Sequence, residues 1–325
     1  MAYIIGIDGG GSKTYAVICD EHGNRLGTGI AGGGNHQSIG MKQSLLHIQQ
    51  SIESALLEAG LKEKDIDFVQ YGLSGADREK DFNIILPALS TLPFSKWDVV
   101  CDTMEGLRTG SSAYTGVVLV CGSGTNAAGR NEQGETTQTG GFGTFYGDWG
   151  GGGELAKETF RAAIRSWEYR EIPSLLTTKV PRYFGFSSVE EMFHSFLDED
   201  RYDVPIQLTQ VLHEAADEGD QLSISILEKA GQELGLAANS VIKRLGGFND
   251  TVKVVLTGSV LQKGKNKYLL ESLCQTLSQE SIEFELVIPK MEPVYGSILL
   301  AMDRLGLPVT KDIENKFASY GGYEK

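Results

Sequence analysis

No apolar run in this chain approaches the ~20 residues that a membrane-spanning helix needs, so none is expected. Positive charge is scarce too: 29 Lys and Arg face 43 Asp and Glu, for a net charge of −14. Such a surplus repels nucleic acid and anionic membrane surfaces, although it serves plain solubility equally well. A small ligand held by local cationic or metal contacts stays compatible with it. Cysteine is limited to Cys19, Cys101, Cys121 and Cys274, with no C-x-x-C pair, which removes a zinc ribbon and a thioredoxin motif. Three of the four lie in apolar strand-like runs, where cysteine acts as a small buried hydrophobe, as in a reducing compartment. The five histidines are scattered, and neither H-E-x-x-H nor G-x-S-x-G occurs, so metalloprotease and hydrolase readings lack their residues. A basic segment followed by an apolar one does not open the chain, so the cytoplasm is the expected compartment.

Glycine, by contrast, is abundant. Its 41 residues cluster, which marks tight turns or backbone held close to a ligand. A length of 325 residues predicts two domains, and 41% hydrophobic against 22% charged residues predicts that they fold. Tyr3 to Ile7 reads as a buried strand, Asp8 to Ser12 as a turn and Tyr15 to Cys19 as a second strand, closed by a turn at Asp20 to Asn24. The same design recurs with a strand at Val117 to Cys121, a small-residue tip at Gly122 to Asn126 and a closing turn at Asn131 to Gly134. Two such hairpins suggest a duplicated domain.

A helix is expected over Lys42 to Ala59, strands at Phe68 to Leu73 and Trp97 to Cys101, and a helix start at Met104 to Thr109. The second half adds helices at Glu154 to Arg170 and Leu222 to Leu245, strands at Val252 to Leu256 and Glu283 to Ile288, and a last helix at Pro293 to Leu305. Strands alternating with helices give an α/β class. Residues 173–219 read as a helical insertion, and the tail after Lys311 as loose.

Several segments could carry chemistry. In Asp8-Gly9-Gly10-Gly11-Ser12-Lys13-Thr14, consecutive glycines let backbone N–H groups approach phosphate oxygens, and Asp8 could hold Mg²⁺ through water. A Walker A loop fails here, because Ser12 stands where lysine is required. A plain turn remains an alternative. Gly122-Ser123-Gly124-Thr125-Asn126 offers a second loop of the same kind. Asp102 ends a strand and precedes a helix, which suits either a base for an attacking hydroxyl or a simple helix cap. The run from Gly140 to Gly153 mixes glycine with Phe142, Asp148 and Trp149. It could meet a sugar through hydrogen bonds and ring stacking, or serve as a flexible linker. Asn35 and His36 follow three glycines in another loop; Asn35 suits a sugar hydroxyl or a left-handed turn. Gly258-Ser259 could bring backbone near a nucleotide or turn a strand into a helix.

The ordered set of Asp8 to Thr14, Asn35-His36, Leu73-Ser74-Gly75, Asp102, Gly122 to Asn126, Gly140 to Gly143 with Gly147-Asp148, and Thr257-Gly258-Ser259 resembles the N-acetylglucosamine kinase-like family. That family is the BadF/BadG/BcrA/BcrD ATPase group of the sugar kinase and actin superfamily. The resemblance spans nearly the whole chain and implies two RNase H-like (actin-like ATPase) lobes with a central cleft. These would be residues 1–112 and 113–325, with the insertion in the second lobe and the helix at 293–305 able to pack back toward the first.

The resemblance further implies ATP and Mg²⁺ as cofactors. Asp8, Gly10, Gly11, Ser12, Lys13 and Thr14 would form one phosphate loop, and Gly122, Ser123 and Gly124 the other. Gly219, Gly258 and Ser259 would lie near the nucleotide. Asn35, His36, Thr125, Asn126, Gly141, Phe142, Gly143 and Asp148 would contact the sugar, with Asp102 as catalytic base. A homodimer phosphorylating C6 of an amino sugar, N-acetylglucosamine first, follows from the same resemblance; glucosamine and N-acetylmuramic acid are alternatives. Trp149 and a glycine run depart from the family pattern, which has an acidic residue and Gly-Ser after Gly-Asp. Relatives that activate 2-hydroxyacyl-CoA dehydratases carry cluster cysteines in an Asn-Asp-Lys-Cys-like context, which this chain lacks. A sugar-sensing regulator would be expected to have lost the base or the loops, and both are present.

Overall fold

The computed structural model describes residues 2–280 and 282–320. The chain divides into two compact units, one running to Gly116 and resuming at Val287, the other Val117–Leu286. No helix among the described residues is long and apolar enough to cross a membrane.

The first unit is built on a mixed five-stranded sheet. Its strands are β1 (Tyr3–Gly9), β2 (Thr14–Asp20), β3 (Arg25–Ala31), β4 (Phe68–Leu73) and β5 (Trp97–Cys101), in the order β3-β2-β1-β4-β5. β1 pairs antiparallel with β2 and parallel with β4, and β4 pairs parallel with β5. The near-continuous apolar runs of β1 and β2 have a direct cause, because both faces of the sheet are dry. Ile5, Ile7, Ala16 and Ile18 pack on one face with Ile48, Ile52 and Leu56 of the helix Met41–Ala59. Ile4, Tyr15, Val17 and Cys19 pack on the other with Val294 and Ile298 of the helix Pro293–Leu305. Gly6 permits that second contact: a Cβ there would stand 2.8 Å from the Val294 carbonyl oxygen.

The second sheet repeats the first. β6 (Gly116–Cys121), β7 (Thr125–Arg130), β8 (Thr136–Gly140), β9 (Val252–Thr257) and β10 (Phe284–Val287) lie in the order β8-β7-β6-β9-β10. β6 runs parallel to β9 and β7 antiparallel to β8, as their counterparts do in the first sheet. This is the duplication that the two hairpins announced. The insertion expected over 173–219 forms the helices Leu176–Tyr183, Val189–Asp198 and Thr209–Asp217.

Two readings need correction. The second unit ends at Leu286 rather than at 325: from Val287 the chain rejoins the first unit, where the helix Pro293–Leu305, expected to be able to pack back that way, helps cover the sheet face that β1 and β2 would otherwise leave wet. The tail after Lys311 is not loose up to Tyr320: Lys311–Ser319 is a helix capped by the Thr310 hydroxyl, and Phe317 is fully buried. Residues 321–325 of that tail lie outside the described residues. β3 and β8 escape sequence reading because glycine in one and polar residues in the other blur the strand pattern.

Phe317 stacks on Tyr295 with ring centroids 4.8 Å apart. Phe317→Ala is expected to cost about 3–5 kcal/mol of first-unit stability. The measurement is denaturant unfolding followed through Trp97, in a background where Trp149 and Trp167 are replaced by Phe. A loss below about 1 kcal/mol would show the helix to be dispensable.

Candidate functional site

Sequence-marked residues gather in two groups, one in each unit. In the first unit the parallel run of β1, β4 and β5 places their carboxyl ends along one sheet edge, where ligands of open α/β sheets bind. Asp8 sits near the end of β1, Ser74 and Gly75 follow β4, and Asp102 follows β5 as the first residue of the helix Asp102–Gly110. The cap position of that helix is Cys101, so Asp102 is not its N-cap. Burial pushes the Asp102 carboxyl up from 3.8 to about 6, with the charges of Asp8 and Asp77 adding to it and a hydrogen bond from the Cys101 thiol opposing it. The Cys101 sulfur lies 3.2 Å from Asp102 Oδ1 and 3.1 Å from Asp77 Oδ1. Asp8 is likewise pushed up to about 6 by burial, against a hydrogen bond with Glu105 and the charge of Lys13.

Glu105 is the residue that sequence reading missed. One helical turn beyond Asp102, it is fully buried, and burial with the nearby Asp8 charge holds its carboxyl well above the usual range. Ser297 Oγ donates to Glu105 Oε2 at 2.5 Å. Two glycines make its room: a Cβ at Gly72 would stand 2.1 Å from Oε2, and one at Gly296 2.0 Å from the Glu105 carbonyl oxygen. An acid in the first turn of a helix reads as a dipole partner, so nothing in the sequence signals that this one is buried.

The glycine tip after β1 is locked from beneath. Gly10 N–H donates to the Lys13 carbonyl and Gly34 N–H to the Gly10 carbonyl, and the buried Thr14 hydroxyl donates to the Gly32 carbonyl at 2.8 Å. Gly11 and Ser12 stay exposed, with open space around Gly11, and Lys13 Nζ lies 5.6 Å from the Tyr15 ring centroid. Asn35 caps a short helix by accepting from Gln37 N–H, and its Nδ2 donates to Ser74 Oγ at 3.3 Å. His36 is buried with Nε2 3.4 Å from Asp81 Oδ1. Arg78 holds Asp81 down to about 2 through its hydrogen bonds.

In the second unit, the tip after β6 is packed by four other glycines. Gly152 N–H donates to the Gly122 carbonyl and Gly153 N–H to the Ser123 carbonyl. A Cβ at Gly151 would stand 2.5 Å from Gly124 Cα, and one at Gly258, where φ is +90°, 2.4 Å from the Cys121 carbonyl oxygen. Structure thus brings Gly258 against the tip of Gly122, Ser123 and Gly124, with exposed Ser259 next along the chain. Gly219 lies in the turn between Thr209–Asp217 and the helix Gln221–Leu245, at φ +89°.

The segment from Gly140 to Gly153 is an ordered loop rather than a linker. Asp148 ties it by accepting from Gly143 N–H at 2.6 Å. Thr125, Asn126, Asp148 and Trp149 line a cavity of about 250 Å³, and Gly141, Gly143 and Ser123 border a smaller one of about 120 Å³. Trp149 carries Lys229 Nζ 4.1 Å above its ring, whereas Phe142 lines neither cavity and is 42% exposed.

No group of three or more His, Cys, Asp or Glu among the described residues is placed to hold a metal unaided. Asp8 fits Mg²⁺ only in the water-rich manner that this ion prefers, with most ligands supplied by solvent or phosphate. The glycine tips, whose Gly11, Gly122 and Gly124 have open space where a Cβ would sit, fit phosphate oxygens.

A model of the BadF/BadG/BcrA/BcrD ATPase family matches residues 5–301. The chain is 27% identical over 303 residues to the N-acetylmuramic acid/N-acetylglucosamine kinase of Clostridium acetobutylicum, covering 93% of this chain and 98% of that protein. It is 26% identical over 312 residues to the N-acetyl-D-glucosamine kinase of Dictyostelium discoideum, covering 92% and 97%. Among solved structures, a candidate N-acetylglucosamine kinase from Chromobacterium violaceum superposes with a TM-score of 0.72 at 22% identity, covering 92% of this chain and 99% of that one. That last likeness concerns the fold alone.

Asp102 gives a prediction about stability. Its folded pKa of about 6 exceeds the ordinary 3.8, so folding takes up a proton between those values and this group's contribution falls as pH rises through them. Asp102→Asn removes the cost of an ionised buried carboxylate. The gain in melting temperature over the parent is therefore expected to be larger near pH 8 than near pH 4, by parallel calorimetric scans. Equal gains at both values would contradict the burial argument.

Proposed function

The chain belongs to the BadF/BadG/BcrA/BcrD ATPase family, and from that premise we propose that it is an ATP-dependent kinase of an amino sugar, N-acetylglucosamine first, with Asp102 as general base. The observation that carries the reading is Asp102 itself: a half-buried carboxyl on the ligand edge of the sheet, poised at about 6. A base with a pKa just under the working pH is ionised when needed and still basic enough to accept a proton.

The chemistry assigned to the chain's own residues is modest, as phosphoryl transfer requires. Asp102 orients the sugar's C6 hydroxyl and takes its proton on a carboxylate oxygen as the hydroxyl oxygen attacks. The backbone N–H groups of Gly11 and Ser12 in the first tip and of Ser123 and Gly124 in the second donate to phosphate oxygens. Gly10 and Gly122 N–H hold the tips in shape by donating to the Lys13 and Gly124 carbonyls, and Lys13 adds positive charge. Gly258 supports the nucleotide side by its contact with the second tip. ATP, when bound, would supply the phosphoryl group, the bond from its γ-phosphorus to the bridging oxygen breaking as the new P–O bond forms and ADP leaving with that oxygen. Mg²⁺, which Asp8 would hold through water, would neutralise phosphate charge. Asn35, Asn126 and Asp148 position the sugar. A cytoplasmic homodimer belongs to the same proposal, supported by the family resemblance.

ADP release with Mg-ATP, measured against N-acetylglucosamine, glucosamine, N-acetylmuramic acid, N-acetylmannosamine and glucose, tests it. Sugar-dependent release is expected, falling by ~10²–10⁴ in Asp102→Asn. The parent's kcat/KM is expected to rise with pH through about 6 and then level, since the base works deprotonated. No stimulation by any sugar, or an undiminished Asp102→Asn protein, would sink the assignment.

A further inference from the structure

The kinase reading leaves open which amino sugars enter, and one side chain outside every motif bears on that choice. The helix Gln221–Leu245 packs beside β7 and β8 and turns Glu233 toward the 250 Å³ cavity that Thr125, Asn126, Asp148 and Trp149 also line. Glu233 is half-buried, and its carboxylate has no hydrogen-bond or ion-pair partner among the described residues. Asn126 Oδ1, a further acceptor of the same cavity, is buried and equally without a partner. Asp148 is the third acceptor, already tied to the Gly143 N–H through Oδ2.

The cavity wall thus offers acceptors that lack donors, and no Lys, Arg or His lines it. Lys229, one turn before Glu233, is held over the Trp149 ring instead of forming part of the lining. A buried amide oxygen without a partner, beside a half-buried carboxylate without one, favours a ligand rich in O–H and N–H groups. A ligand carboxylate would meet Asp148 and Glu233 with no cation in the lining to offset it, since Lys229 is held over Trp149 and Arg244 donates to the Thr139 hydroxyl and the Gln138 carbonyl, and like charges brought together are disfavoured.

We propose that Glu233 is a specificity-determining residue that accepts hydrogen bonds from the hydroxyl or amide groups of a neutral N-acetylhexosamine and rejects the same sugar bearing a carboxylic acid. The inference rests on the kinase reading for its site but concerns selectivity alone. It sets this chain apart from a relative whose name covers both the neutral and the acidic sugar.

The test compares kcat/KM for N-acetylglucosamine and N-acetylmuramic acid in the full-length parent, Glu233→Gln and Glu233→Lys. The parent is expected to favour the neutral sugar by on the order of 100-fold, the size of a penalty for juxtaposed like charges. Glu233→Gln should narrow that ratio and Glu233→Lys should narrow it further, by at least about tenfold, since the new cation would meet the acid. A parent that uses both sugars within about threefold, or a ratio unchanged in a Glu233→Lys protein that still phosphorylates N-acetylglucosamine, would overturn the proposal. Calorimetric titration of the same two sugars without nucleotide reads the same ordering. Absence of ADP release would therefore count against the kinase reading, and an absent binding preference against the role of Glu233.

Discussion

The dryness of both faces of β1 is the constraint on which the first unit depends. A strand that reads Tyr-Ile-Ile-Gly-Ile cannot show either side to water, so a helix must lie on each. The chain supplies one at once, Met41–Ala59, and the other only after leaving to build a second sheet. The return of Pro293–Leu305 does more than cover Ile4 and Val17. It brings Ser297 to Glu105 and sets Gly296 against the Glu105 backbone, so the helix that closes the core also completes the floor beneath Asp8.

That floor explains the electrostatics of the edge. Asp8, Asp102 and Glu105 are three acids in one poorly hydrated place, and they cannot all ionise at little cost. Glu105, the deepest, is pushed well above the usual carboxylate range by burial and by the Asp8 charge. The other two are pushed only to about 6 and can carry charge near neutral pH.

The duplicated sheets show how one topology is put to two uses. Each places a short tip after its first strand, but the first tip follows Asp8 and the second follows Cys121. Carboxylates collect in the first unit. The second presents backbone donors packed by Gly151, Gly152, Gly153 and Gly258. The glycine run whose departure from the family pattern stood out in the sequence has that packing role, since any side chain at Gly151 would strike the tip.

Much of this was legible in the residues. Two dry-faced strands, their glycine tips, the repeat of that hairpin and the strand-to-helix place of Asp102 follow from hydrophobic period and turn chemistry, which are local properties of the chain. The sequence by itself determined the α/β class, the duplication and the candidate base. Glu105, Glu233 and the helix Lys311–Ser319 were decided only by tertiary structure. Glu105 owes its character to Gly72, Gly296 and Ser297, and Glu233 to a cavity walled by Asn126 and Trp149, partners far away in the chain. Burial and the company of other charges set what a carboxylate does, and neither is a property of the residues beside it in sequence.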